Sequence, residues 1–71
     1  MVSMESAVDM GAGIGRIAKN LLLKHFKEVD LVEPAKVQID KAREHVPQIR
    51  SFYEQGLEEF TFEREYDCIW V

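Results

Sequence analysis

The sequence predicts an α/β fold built on a parallel sheet. Its first strand, Ala7 to Met10, runs directly into a turn that contains Gly11, Gly13 and Gly15. Stretches of helical periodicity then separate the first three strand-like segments, and this order favours a parallel sheet with right-handed crossovers. A complete doubly wound domain is usually about twice as long as these 71 residues. We therefore expect residues 1–71 to form one truncated half of such a domain.

The first helix is predicted over about Ile14 to Lys27 because apolar residues recur there at spacings of three and four. A second strand, Glu28 to Glu33, is expected to end at Pro34, which cannot donate to a sheet ladder. The apolar positions that define the helix are Ile14, Ile17, Ala18, Leu21, Leu22 and Phe26.

The second half of the chain continues the same alternation. A helix is predicted over Lys36 to Val46, a third strand over Arg50 to Glu54, a loop or short helical turn over Gln55 to Glu65, and a fourth strand over Tyr66 to Val71. The resulting order is βαβαββ. Parallel sheets normally have both faces covered, so the fourth strand leaves a bare patch, through which we expect self-association.

Composition excludes several classes of function. The net charge is −4 and the nine basic residues are scattered, which argues against nucleic-acid binding. The sequence has no apolar run of about 18 residues, so we expect no membrane span. The single cysteine fits a reducing compartment, and residues 1–6 do not resemble a secretory leader, which favours a nuclear or cytoplasmic location. His25 and His45 lack partners at metal-binding spacing, so no metal site is predicted.

The glycine turn, Gly11 to Gly15, is the predicted ligand site. Glycines at every second position let backbone N–H groups face a ligand without side chains in between. The dinucleotide fingerprint G-x-G-x-x-G needs its third glycine one place later, where this chain has Arg16. A guanidinium there would crowd a pyrophosphate but could pair with a carboxylate.

Two acidic residues flank this turn. Glu33 stands about 20 residues beyond Gly11 at the end of the second strand, where an acid accepts hydrogen bonds from the ribose of a nucleotide cofactor. The alternative for Glu33 is a solvated carboxylate that caps the next helix. Asp9 is expected to order the turn through backbone N–H groups, in a structural role.

These residues carry a family resemblance. The string D-M-G-A-G-I-G-R is similar to motif I of class I S-adenosylmethionine-dependent methyltransferases, which have a Rossmann-like fold. Together with the LLL run, VDLVEP, GLEEFT and YDCIW in the same order, it resembles the protein N-terminal methyltransferases, which methylate the α-amino group of Pro-Lys-type N-termini. The resemblance implies S-adenosylmethionine as cofactor and a protein N-terminal peptide as substrate.

The resemblance also implies roles for individual residues. Gly11 and Arg16 would touch the methionine part of the cofactor, and the segment from Glu33 to Ala35 would flank ribose and adenine. Leu57 and Glu58 would contact the adenine edge, although the family often has glutamine in place of Glu58, and an acid cannot donate to a ring nitrogen. The predicted cofactor-binding residues are Gly11, Gly13, Arg16, Glu33, Pro34, Ala35, Leu57 and Glu58.

No catalytic residue is predicted in this chain. Methyl transfer to an amine needs a base or acceptor for the amine proton, and the resemblance places that group and the substrate pocket beyond Val71. We therefore expect the chain to bind S-adenosylmethionine weakly at best and not to catalyse alone. Two alternatives remain open: a non-catalytic interaction module that uses the bare sheet, and a fragment of a nicotinamide-dependent oxidoreductase.

Overall fold

The computed structural model describes residues 5–71 and contains four parallel strands: β1 (Ser6–Met10), β2 (Glu28–Val32), β3 (Ser51–Tyr53) and β4 (Cys68–Trp70). Their order in the sheet is β3-β2-β1-β4. This topology confirms the predicted parallel α/β fold. The strands β3 and β4 are each shorter than the sequence predicted: Arg50 and Glu54 lie outside β3, and Tyr66, Asp67 and Val71 lie outside β4.

Two helical segments connect the first three strands. Helix α1 is wound as a π-helix over Ala18–Leu22 and continues as α-helix over Leu23–His25, and α2 spans Lys36–His45. The wider π-turn changes which side chains reach the sheet, since it holds more than 3.6 residues per turn. Ala18 and Leu22 are buried, whereas Ile17 is 38% exposed, contrary to the burial that a regular helix predicted.

Both faces of the sheet carry a packed layer. On one face, helices α1 and α2 cover a core that includes Leu22, Leu31 and Ile39, each 0–2% exposed. On the other face, Val8, Met10 and Val32 pack against Tyr53, Phe60 and Tyr66. The predicted bare patch is therefore confined to the end near β4, where Ile69 is 52% exposed.

Two further sequence expectations concern membranes and targeting. Among residues 5–71, no helix has the length and apolar character needed to cross a membrane. The expectation about a leader concerns residues 1–6, and the first four of these lie outside the described part of the chain.

Candidate cofactor site

The glycine turn has two open glycines and one packed glycine. All three have positive φ: 75° at Gly11, 60° at Gly13 and 87° at Gly15. A Cβ atom built on Gly11 or Gly13 would meet no atom within 4 Å, whereas one on Gly15 would lie 2.9 Å from Val46 Cγ2. Gly11 and Gly13 thus border open space, and Gly15 permits close packing of the turn against α2.

The backbone N–H groups of the turn are already bonded within the protein. Those of Gly11 and Ala12 donate to the Val32 carbonyl at 2.8 and 3.1 Å, and that of Gly15 donates to the Ala12 carbonyl at 3.0 Å. The Gly13 N–H donates to Glu33 Oε1 at 2.7 Å. The expectation that these N–H groups face a ligand is therefore wrong for these four residues, because Val32, Glu33 and Ala12 supply their acceptors.

Glu33 ties the glycine turn to the start of α2. Its Oε1 accepts the Gly13 N–H, and its Oε2 accepts the Ala35 N–H at 2.9 Å. The residue is only 7% exposed, so it is not the solvated carboxylate of the alternative interpretation. A carboxylate has about four lone-pair sites, so each Glu33 oxygen keeps acceptor capacity for a ligand hydroxyl.

Asp9 is a second buried carboxylate beside the turn. It is 3% exposed, and its Oδ2 has no hydrogen-bond partner among the described residues. Burial raises the pKa of Asp9 to about 6, while a hydrogen bond from the Ala18 backbone N–H lowers it and the charge of Glu33 raises it further. Glu33 therefore accepts the Gly13 N–H, which is the turn-ordering contact that was expected of Asp9.

The side chains of the other predicted residues make no hydrogen bond or ion pair with Glu33 or the glycine turn within residues 5–71. Arg16, Pro34 and Glu58 are exposed, and Leu57 is 51% exposed. They follow the carboxyl ends of β1, β2 and β3, which is the edge where open α/β sheets bind ligands. In the described part of the chain, no hydrogen bond or ion pair joins Arg16, Leu57 or Glu58 to the glycine turn or to Glu33.

The electrostatics of the turn favour a cationic ligand. A pyrophosphate needs free N–H donors at a helix N-terminus, and here the Gly13 N–H is bonded to a carboxylate. Asp9 and Glu33 place two buried carboxyl groups close enough for the Glu33 charge to raise the pKa of Asp9, after the larger effect of burial. The turn therefore suits a positively charged group better than a phosphate.

A polar group that the sequence did not predict surrounds Asp30 of β2. Asp30 is fully buried and forms a two-point ion pair with Arg50, Nε to Oδ1 and Nη2 to Oδ2, both at 2.9 Å. Its Oδ2 also accepts from Arg64 Nη1 at 3.0 Å and from the Tyr66 hydroxyl at 2.5 Å. We call Asp30, Arg50, Arg64 and Tyr66 the Asp30 cluster.

The Asp30 cluster keeps its carboxylate ionised. Burial opposes the charge, but hydrogen bonds from Arg50 and Tyr66 and the positive charges of Arg50 and Arg64 outweigh it and hold the pKa of Asp30 below its ordinary value. One signal in the sequence could have revealed this group. An acid in the middle of the apolar strand EVDLV must find partners if it is buried.

A cavity in the described part of the chain lies apart from the predicted site. A cavity of about 130 Å³ is lined by Tyr53, Gln55, Phe60, Thr61, Glu63, Arg64 and Tyr66, none of which was predicted to bind cofactor. Within residues 5–71, no group of three His, Cys, Asp or Glu side chains is arranged to hold a metal ion.

Comparison with known proteins decides the family. The sequence model of the family described as AdoMet-dependent proline di-methyltransferase matches residues 1–71. The chain belongs to this family. This finding confirms the resemblance to the S-adenosylmethionine-dependent methyltransferases that the motifs carry.

Individual relatives agree with the family match. Alpha N-terminal protein methyltransferase 1 of Dictyostelium discoideum is 47% identical over 75 residues, covering 99% of this chain and 28% of the relative. N-terminal Xaa-Pro-Lys N-methyltransferase 1 of Danio rerio is 44% identical over 70 residues, covering 92% of this chain and 31% of the relative.

The fold is shared with a solved relative. The structure of a SAM-dependent methyltransferase from Leishmania major superposes with a TM-score of 0.91 at 37% identity, covering 96% of this chain and 29% of that chain. This likeness confirms the Rossmann-like form of the sheet. In all three comparisons, this chain spans less than a third of the length of the protein it matches.

Proposed function

We propose that this chain forms the S-adenosylmethionine-binding part of a methyltransferase that acts on the α-amino group of protein N-termini beginning Xaa-Pro-Lys. One observation carries the cofactor assignment. The glycine turn borders open space at Gly11 and Gly13, while Glu33 bonds the Gly13 N–H and gives the turn a negative charge. Because the N–H groups of Gly11, Ala12, Gly13 and Gly15 are already bonded within the protein, the turn offers none of them to a pyrophosphate, which favours S-adenosylmethionine over a dinucleotide.

The residues of the turn fit the cofactor in shape and charge. A Cβ at Gly11 or Gly13 would point into open space and meet no neighbouring atom within 4 Å. These glycines therefore leave room for a ligand beside the backbone. Asp9 brings a buried carboxyl oxygen without a hydrogen-bond partner in the described residues. S-adenosylmethionine supplies an electrophilic methyl group on a positively charged sulfur. Buried carboxyl groups favour such a cation over an anionic cofactor.

We assign the remaining contacts from their positions at the edge. Glu33 accepts from the ribose hydroxyls with the lone pairs that Gly13 and Ala35 leave unused. The exposed guanidinium of Arg16 pairs with the carboxylate of the methionine part. The exposed Leu57 and Glu58 contact the adenine edge from the segment that follows β3.

The substrate rests on the family. The relatives named above are N-terminal methyltransferases, one of them for Xaa-Pro-Lys termini, which supports a protein N-terminal peptide as substrate. A nuclear or cytoplasmic location stays a prediction from the single cysteine. Since this chain spans 28–31% of their length, we propose that it supplies the cofactor half of the site and does not transfer methyl groups alone. Self-association through the exposed Ile69 end of the sheet stays a prediction.

The cofactor assignment can be tested by titration of the ¹⁵N-labelled chain with S-adenosylmethionine and, separately, with NAD. We expect shifts of the Gly11, Gly13, Arg16 and Glu33 amides with the first ligand only. The variant Arg16→Gln should bind S-adenosylmethionine about tenfold more weakly, because a charge-assisted hydrogen bond is lost. Lys19→Gln is the matched control, since Lys19 is an exposed cation three residues further along the chain, in α1.

A second ligand separates the Arg16 contact from a general loss of affinity. Decarboxylated S-adenosylmethionine keeps the sulfonium and the adenosine but lacks the carboxylate, so Arg16→Gln and the unchanged chain should bind it equally. Shifts with NAD at the same amides would support the oxidoreductase alternative instead. A chain that responds to neither ligand would contradict the cofactor assignment.

A further inference from the structure

The segment between β3 and β4, residues 54–67, has no regular backbone structure to hold it in place. It contains one turn, Leu57 to Glu59, and is otherwise irregular. The N–H groups of Glu59 and Phe60 both donate to the Gly56 carbonyl at 3.1 Å, so the turn is closed on itself. At the end of the segment, the Asp67 N–H donates to the Ser6 carbonyl of β1 at 2.9 Å. Before Asp67, the position of this β3–β4 segment on the sheet depends on side-chain contacts.

These contacts are of two kinds. An aromatic row connects the segment to the sheet, with Phe60 edge-on to Tyr53 at 5.1 Å and to Phe62 at 5.0 Å between ring centroids. The polar contacts are more directional: Tyr66 and Arg64 of the segment both donate to Oδ2 of Asp30. Arg64 Nη1 also lies 3.2 Å from Ser51 Oγ at the start of β3.

Asp30 links this segment to the predicted ribose contact. Asp30 lies in β2, and the same strand delivers Glu33 to the edge of the sheet three residues later. A segment bonded to Asp30 is therefore held relative to the strand that positions Glu33. Asp30 is fully buried and Tyr66 is half-buried, whereas the Arg64 side chain is 42% exposed. The Tyr66 bond is therefore the better shielded of the two and restricts the segment more than a surface contact would.

We propose that Tyr66 and Arg64, through Asp30, are positioning residues for adenine recognition: they hold the β3–β4 segment so that Leu57 and Glu58 meet the adenine of a cofactor whose ribose is held by Glu33. The inference rests on the proposed function. It assigns a purpose to the Asp30 cluster, whose residues were not predicted to touch the cofactor.

The chain offers a clean way to weaken this link. Tyr66→Phe removes the hydroxyl that bonds Asp30 but keeps the ring, which extends the aromatic row edge-on to Phe62 at 6.2 Å between centroids. The two-point Arg50–Asp30 ion pair remains. Tyr53→Phe is the matched control, because Tyr53 is a half-buried tyrosine in the same aromatic row whose hydroxyl is not among the groups that bond Asp30 in the described residues.

Adenine recognition is measured with two ligands that differ only at the adenine edge. S-adenosylhomocysteine carries the 6-amino group, and S-inosylhomocysteine has an oxo group in its place. We expect the unchanged chain and Tyr53→Phe to prefer the first ligand, and Tyr66→Phe to lose about threefold to tenfold of that preference. A purely structural role would weaken binding of both ligands equally and leave the preference unchanged.

The link to Asp30 has a readout that needs no ligand. In Tyr66→Phe, hydrogen exchange of the Glu59 and Phe60 amides should quicken, whereas the amides that join β1 and β2 should exchange as before. If Tyr66→Phe proves too mild, the double variant Arg64→Gln/Tyr66→Phe removes both bonds from the segment to Asp30.

The outcomes distinguish this inference from the proposed function. An unchanged chain that binds and discriminates, with the double variant discriminating equally well, would overturn the positioning role and leave the cofactor assignment standing. An unchanged chain that binds neither ligand would overturn both. Faster exchange at Glu59 and Phe60 together with a reduced preference would support the inference.

Discussion

Asp9 and Glu33 show how similar residues acquire different roles from their surroundings. Glu33 has a backbone N–H donor for each oxygen, from Gly13 and Ala35. Asp9 has the Ala18 N–H, but its Oδ2 has no partner among residues 5–71. A buried carboxylate with too few donors resists ionisation, so Asp9 is the acid whose charge opposes folding.

We therefore predict that Asp9 makes the chain less stable as the pH rises. Burial raises the pKa of Asp9 from 3.8 to about 6, so the folded state holds a proton that the unfolded state has lost. The stabilisation is complete below pH 4 and disappears as the pH passes 6, a change of about 3 kcal/mol in the free energy of unfolding. Urea denaturation followed by circular dichroism between pH 4 and pH 8 measures it.

The variant Asp9→Asn isolates this effect. Its amide oxygen can still accept the Ala18 N–H, but the side chain has no charge, so the stability advantage of Asp9→Asn should grow from pH 4 to pH 7. Asp30 affects stability in the opposite sense: because its pKa is lowered, the stability that it contributes is lost only as the pH falls. The Asp30 cluster is present in both proteins, so its effect cancels in the comparison. An advantage that does not change with pH would contradict the assignment to Asp9.

Among the structural elements, the glycine turn has one glycine that packs against the core, Gly15, and another that borders open space, Gly13. Gly15→Ala would place a Cβ 2.9 Å from Val46 Cγ2 and 3.2 Å from Leu31 Cδ1 at a φ of 87°, and we expect it to lower the free energy of unfolding by about 1–3 kcal/mol. Gly13→Ala meets no atom within 4 Å, so it should lose only about 1–2 kcal/mol through its left-handed backbone.

The two variants should differ in cofactor binding as well. The methyl group of Gly13→Ala projects into the open space beside the turn, so S-adenosylmethionine affinity should fall further than stability explains. The folded fraction of Gly15→Ala should bind with nearly unchanged affinity, because its methyl group faces the core. Calorimetric titration of each variant under conditions where it is folded makes the comparison, and equal affinities would contradict an open cradle at Gly13.

The sequence could predict the regular helix α2 but not the π-turn in α1 or the contacts of the glycine turn. The periodicity of Ile39, Ala42 and Val46 placed α2 correctly, because a regular helix preserves the spacing of its buried face. Ile17 was predicted to be buried and is 38% exposed, since a π-turn shifts the face and leaves no mark in the hydrophobic pattern. The proposed cofactor edge was predicted from Gly11 and Glu33. The bond between Gly13 and Glu33 joins residues 20 positions apart, which no local pattern encodes.

The whole molecule depends on a small core. The helical face of the sheet is closed by residues such as Leu22, Leu31 and Ile39, and a chain of this size rarely gains more than about 3–5 kcal/mol of stability from one core. The second face depends on irregular chain and aromatic contacts. A substitution that opens one large cavity in the helical layer therefore costs about as much free energy as the whole fold gains from this core.

We predict that Ile39→Ala leaves the chain largely unfolded and that cofactor partly restores it. Ile39 is a fully buried residue of α2, and truncation of such a residue costs about 2–5 kcal/mol. Val37→Ala is the control on the same helix, because Val37 is 67% exposed and its loss should cost less than about 0.5 kcal/mol.

The recovery follows from mass action and connects stability to function. S-adenosylmethionine at about 100 times its dissociation constant adds about 2.7 kcal/mol to the folded state, enough to offset much of the Ile39→Ala loss. The circular dichroism of Ile39→Ala should therefore regain helix signal as S-adenosylmethionine is added and not as NAD is added. Recovery with both ligands would mean that the fold, once stabilised, does not discriminate between them. The bonded N–H groups of the glycine turn would then not determine the choice of cofactor.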